Sequence, residues 1–202
     1  MFNLALCYLK GNGVSQDKKK AIDLFQRAAK LSIVHSMKSI ANHFLKGNEV
    51  QQDKKKAIKL LQRASEMGNT NATVLLGHCY NDGEGVSQDK KKAVELFQKA
   101  ADMNDPYAIV NLGVCYEKGN GAPQDKKKAF ELYQKAYHMG DTKAMVNLGL
   151  CYYKGDGVPQ DNNKAIELFQ QAVEMGNTDA MAKLAHYYHE GNGVSQDKKE
   201  SH

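Results

Sequence analysis

Residues Ala144–Ala180 read AMVNLGLCYYKGDGVPQDNNKAIELFQQAVEMGNTDA. Ala144, Leu148, Gly149 and Tyr152 fall at i, i+4, i+5 and i+8, which is one stripe of an α-helix. Gly155 stops that helix at a position suited to left-handed backbone. After the loop GDGVPQ, Asp161 is placed to cap a second helix, because its carboxylate accepts otherwise unpaired backbone N–H groups. Ala165, Leu168, Phe169 and Ala172 form the second stripe, at i, i+3, i+4 and i+7, and Gly176 closes it. The stretch is a helix–loop–helix unit.

The same unit recurs in both directions with a period of 36 residues. QDKKKA begins at Gln16, Gln52, Gln88 and Gln124, QDNNKA at Gln160, and a shortened QDKKE at Gln196. The Gly155 column is Gly in every copy: Gly11, Gly47, Gly83, Gly119, Gly155 and Gly191. Ala28, Ala64, Ala100, Ala136 and Ala172 form a column of small residues, and Gly77, Gly113 and Gly149 share another with Ala5, Ala41 and Ala185. Small residues at fixed points let helix backbones approach closely. At the end of the second helix Asn104 stands where other copies have Gly, and Asn also tolerates left-handed backbone. Pro106 then falls in the first turn of the next helix, the helical position that suits Pro.

A single hairpin cannot bury both of its stripes, so neighbouring units must stack. The expected fold is all-α, a right-handed α/α solenoid of antiparallel helix pairs, with residues 1–202 forming one array. The second unit is the loosest copy: Ser32-Ile33-Val34-His35-Ser36 and Glu49 depart from the pattern. The array is incomplete at both ends and carries no polar capping unit, so the segment is expected to belong to a longer protein, and uncapped ends offer a route to self-association.

The pattern A-x-x-x-L-G-x-x-Y, G-x-G-V, D-x-x-K-A, A-A-x-x-G resembles the Sel-one-like repeat, a subfamily of the tetratricopeptide-like α/α superhelices. The resemblance runs along the whole chain. It implies a non-enzymatic scaffold or adaptor that holds a protein or peptide on its concave face, with no cofactor.

Composition fits a folded chain: 42% hydrophobic and 25% charged residues, with no apolar run long enough to span a membrane. The N-terminus has no basic lead-in before its short apolar run, so no secretory signal is expected. A net charge of +5 is small for a dedicated nucleic-acid binder. Cys7, Cys79, Cys115 and Cys151 share one column. Equivalent positions on stacked helices lie roughly 10 Å apart, too far for a disulfide. Structural thiols in a reducing, cytoplasmic compartment are expected. His186 and His189 are a two-ligand metal candidate without a third member, so no metal is expected. The Gly-Asn-Gly turns lack the strand, the third Gly and the following helix N-terminus of a phosphate loop.

Two surfaces carry candidate binding chemistry. The first is the face of the leading helix turned away from its Leu/Gly/Tyr stripe, at positions 143, 146, 147, 150, 153 and 154 in the quoted unit. It offers His78, Asn81, Tyr107, Asn111, Val114, Glu117, Lys118, Lys143, Asn147, Leu150, Tyr153 and Lys154 as protein- or peptide-binding residues. Asn111 and Asn147, one repeat apart, could pair with an extended backbone. The alternative is the run of Lys at each second-helix start, such as Lys90-Lys92 and Lys126-Lys128, which could meet a nucleic acid or an anionic membrane. Glu95, Glu131 and Glu167 lie on the same helices, and no aromatic is expected among those Lys to stack bases, so nucleic acid and membrane rank below a protein partner.

Overall fold

The computed structural model describes residues 54–189, together with Leu4, Cys7, Tyr8, residues 11–17 and 19–21, Asp23 and Leu24. The loose second-unit turn and Glu49, and the last residues of the sixth copy, lie outside the described residues. The chain divides into two compact units, Met1–Asp105 and Pro106–His202. The first contains α1 (Lys54–Glu66), α2 (Thr70–Asp82) and α3 (Lys90–Asp102). The second contains α4 (Pro106–Lys118), α5 (Lys126–His138), α6 (Thr142–Lys154), α7 (Asn162–Glu174) and α8 (Thr178–His189). Among the described residues every regular element is a helix.

Each repeat pairs a leading helix (α2, α4, α6) with a trailing one (α3, α5, α7). The Asp89 N–H bonds the Tyr80 carbonyl beside the turn, and Gly77 lies against Phe97 further away, so the two helices run antiparallel. The turn is set by the Gln-Asp pair. Asp89, Asp125 and Asp161 cap the trailing helices, accepting at 2.9–3.0 Å from the N–H of the residue three positions on. The preceding Gln88, Gln124 and Gln160 each donate a side-chain N–H, at 2.8 Å, to a carbonyl in the last turn of the leading helix (Asn81, Glu117, Tyr153). One dipeptide thus serves orphan groups of two helices at once.

Gly155 closes α6 with φ 72°, a region where a Cβ would be strained, and its N–H reaches the Cys151 carbonyl. Asn104, the one non-Gly residue with positive φ among the described residues, takes φ 58°. Pro106 is the first residue of α4.

The small columns have a geometric cause. A Cβ on Gly77, Gly113 or Gly149 would lie 2.6 Å from a ring carbon of Phe97, Tyr133 or Phe169 respectively. The trailing helix's aromatic ring therefore occupies the space that a side chain on the leading helix would need. Ala64, Ala100, Ala136 and Ala172 are wholly buried. In the second unit Met145, Val146, Ala165, Phe169, Ala172 and Ala180 form one apolar cluster. Burying a ring such as that of Phe169 contributes roughly 1.5–3 kcal/mol.

Candidate binding groove

On α4, Tyr107, Asn111, Val114 and Lys118 follow one another at steps of four, three and four, a single stripe along the helix. Lys143, Asn147, Leu150 and Lys154 repeat it on α6. Two pockets open between these stripes. The first, about 240 Å³, is lined by Tyr107, Asn111, Val114, Lys143 and Asn147 with Val110, Val146, Asn177 and Asp179. The second, about 180 Å³, is lined by Val114, Glu117, Lys118, Asn147, Leu150 and Lys154 with Cys151 and Asp156. Val114 and Asn147 line both, so the pockets adjoin.

Nine of the twelve predicted residues are thereby gathered in one groove of the second unit. His78 and Asn81 belong to the first unit. There the His78 ring meets the Phe97 ring edge-on at 5.1 Å, and Asn81 donates to Asp82 at 2.7 Å. Tyr153 stacks edge-on against Tyr187 and lines neither pocket.

Several groove side chains are already engaged. The Asn111 amide donates to the Tyr107 carbonyl of its own helix at 2.8 Å. Glu117 accepts from the buried Tyr133 hydroxyl at 2.6 Å. Burial, and then that bond, push the Tyr133 phenol well above its ordinary pKa. Lys143 sits 5.0 Å from the centre of the Tyr107 ring, within cation–π range. Val146, which the helical face assigned to the open side, is buried and forms pocket floor. Asp156 and Asn177 were missed because they lie in loops. Asn177 caps α8 through Ala180 N–H, and no helical stripe extends to either residue.

The lysine runs are less available than their sequence suggests. Lys54 pairs with Glu84 at 3.4 Å and Lys126 with Asp156 at 2.7 Å, each reaching the Gly-x-Gly loop of the following repeat. The third Lys of a run lies over the Tyr column: Lys20 over Tyr8 at 4.4 Å and Lys128 over Tyr116 at 4.1 Å. An aromatic does interleave the lysines, contrary to the sequence expectation, but the Tyr8 and Tyr116 rings are each taken by their own Lys.

Cys7, Cys79, Cys115 and Cys151 are all free thiols. Burial pushes Cys79 up to about 11 and Cys151 up to about 12, with Cys115 moved the same way. Such thiols are poor nucleophiles. Among the described residues no three His, Cys, Asp or Glu side chains converge as a metal site, His186 and His189 included. No described helix is long and apolar enough to cross a membrane.

The Sel1 repeat pattern matches residues 1–32, 35–69, 70–105, 106–141, 142–177 and 178–202. The chain belongs to the Sel1 repeat family. Sel1 repeat proteins are generally protein-interaction scaffolds, typically without enzymatic activity. The Sel1 repeat protein from Oxalobacter formigenes is 26% identical, with a TM-score of 0.85, over 98% of this chain and 79% of that one. A protective antigen of uropathogenic Escherichia coli strains, displaying an SLR fold, is 29% identical with a TM-score of 0.82 over 97% of this chain. This Sel1 repeat chain spans only 42% of that antigen's length. Helicobacter pylori cysteine rich protein B is 29% identical over 66% of this chain and 96% of its own, with a TM-score of 0.51. No curated protein matches the sequence significantly.

Proposed function

We propose that this Sel1 repeat chain is an adaptor, its repeats acting as one array, and that the groove between α4 and α6 receives a segment of a partner protein. The observation that carries the reading is the adjoining pair of pockets, framed by Val114, Leu150 and the Asn147 amide. Apolar floor with a few fixed polar groups is the composition that binds a chain segment with both affinity and register.

The reading is non-catalytic. Glu117 is held by Tyr133, Asp156 by Lys126, and the Cys151 thiol stays protonated. Four unpaired thiols fit a reducing compartment, so we place the protein in the cytoplasm. The lysine runs are the weaker candidate surface, since Lys20, Lys54, Lys126 and Lys128 are partnered within the chain.

Site-specific photo-crosslinking tests the reading. A benzophenone side chain at Leu150 should capture a discrete partner, whereas the same group at Lys127, exposed on α5, should not. Capture from Lys127 alone would move the interaction surface to the lysine runs.

A further inference from the structure

With Lys126, which pairs with Asp156, counted in, the second pocket carries one positive charge in excess. It contains two carboxylates, Glu117 and Asp156, and two ammonium groups, Lys118 and Lys154. Asp156 is charge-paired with Lys126 Nζ at 2.7 Å, whereas Glu117 keeps its charge while accepting the neutral Tyr133 hydroxyl at 2.6 Å. Among the described residues neither Lys118 nor Lys154 has a hydrogen-bond or ion-pair partner, and both are exposed. Their places at the last residues of α4 and α6 suit the helix dipole. The helix does not require a cation there, since Asp82 holds the same column at the end of α2. The result is two exposed ammonium groups at the rim of a pocket whose one uncompensated acid is Glu117, a net excess of one positive charge.

One helical turn before each Lys, in the same pocket, lie Val114 and Leu150, half-buried and apolar, with the Asn147 amide, which no described residue engages. A nucleic acid would want open ring faces. The nearby Tyr107 ring is occupied by Lys143. A polypeptide supplies all that this surface lacks: a carboxylate, an apolar side chain, and a backbone amide with both donor and acceptor.

Resting on the interaction reading above, we propose that the groove selects an acidic, extended peptide segment of a partner protein. A Glu or Asp side chain enters between Lys118 and Lys154, an apolar neighbour rests on Val114 and Leu150, and the Asn147 amide pairs with the peptide backbone. Successive side chains of an extended chain point to opposite sides, so acidic and apolar residues spaced by two share the groove face.

The probe is a fluorescein-labelled, end-blocked peptide of alternating Glu and Val, compared with its Gln/Val counterpart by fluorescence anisotropy on the full chain. The Glu/Val peptide should bind about tenfold more tightly than the Gln/Val peptide, and added salt should narrow that gap, as expected for partly screened charge contacts. Lys118→Gln/Lys154→Gln should remove the preference without changing the melting temperature. Asn147→Ala should weaken both peptides alike. No binding of the Glu/Val peptide, or equal binding of the two, overturns the inference. Equal binding that still falls in Asn147→Ala overturns the acidic preference alone and leaves the groove reading standing. Tight binding of a single-stranded oligothymidylate that depends on Lys118 and Lys154 overturns it in favour of nucleic acid.

Discussion

The buried Tyr133 hydroxyl donates to Glu117 Oε2 at 2.6 Å, joining the core of the fourth repeat to the rim of the groove. The pairing is private to that repeat. The same two columns hold Phe97 with Asn81 and Phe169 with Tyr153 in the flanking copies. Two departures from the common pattern thus compensate one another: a core ring gains a hydroxyl, and the facing surface position supplies its acceptor.

A double-mutant cycle measures that compensation. Glu117→Ala should destabilise by about 1–3 kcal/mol, because it strands a buried hydroxyl. Tyr133→Phe should cost less, since Glu117 can turn to water and Phe is already used in this column. The double variant should resemble Tyr133→Phe, and additive chemical-denaturation energies would show the two residues uncoupled.

Alkaline pH should unfold the chain through its thiols. Burial raises the folded Cys79 and Cys151 above the ordinary value of 9.0. The unfolded chain therefore releases these protons first as pH rises. Stability from this source is fully present below pH 9.0 and is lost as pH climbs toward about 11 for Cys79 and about 12 for Cys151. Each thiol contributes a slope of up to roughly 1.4 kcal/mol per pH unit in that window. Urea titrations across the window should show the decline, and Cys151→Ala should make it shallower. A slope unchanged by Cys151→Ala would mean that the thiol is solvated in the folded chain.

Gly149→Leu should destabilise by about 1–3 kcal/mol through overpacking. A Cβ at that site already meets the Phe169 ring at 2.6 Å. Lys91→Ala, on the exposed side of α3, should stay within roughly 0.5 kcal/mol. Equal thermal shifts would put the ring elsewhere.

The period, the Asp caps, the left-handed Gly and Asn104, and the small columns were all legible, because each is a local rule repeated at one spacing. The role of Gln124 was not. Its amide is exposed, and only the closed turn shows that it reaches the Glu117 carbonyl. Lys126 and Asp156 stand thirty residues apart on elements that no helical period relates, so their pairing emerges only when adjacent repeats stack. Val146 was misplaced for a related reason. A wheel centred on Leu148 and Tyr152 assigns it to the open side, whereas packing within the second unit buries it. The groove's membership was largely readable from one helical face. Which of its polar groups are free was not readable, since Asn111 bonds its own helix and Asn147 does not.

That difference sharpens the most direct test of the interaction reading: the affinity of the partner captured at Leu150, measured against single variants. Asn147→Ala should weaken binding by about 1–3 kcal/mol, the loss of a bond in a desolvated groove. Asn111→Ala should weaken it less, and Lys91→Gln/Lys127→Gln should leave it unchanged, all with melting temperatures near that of the parent. Affinity that survived Asn147→Ala and fell with Lys91→Gln/Lys127→Gln would contradict the groove and assign the partner to the lysine runs.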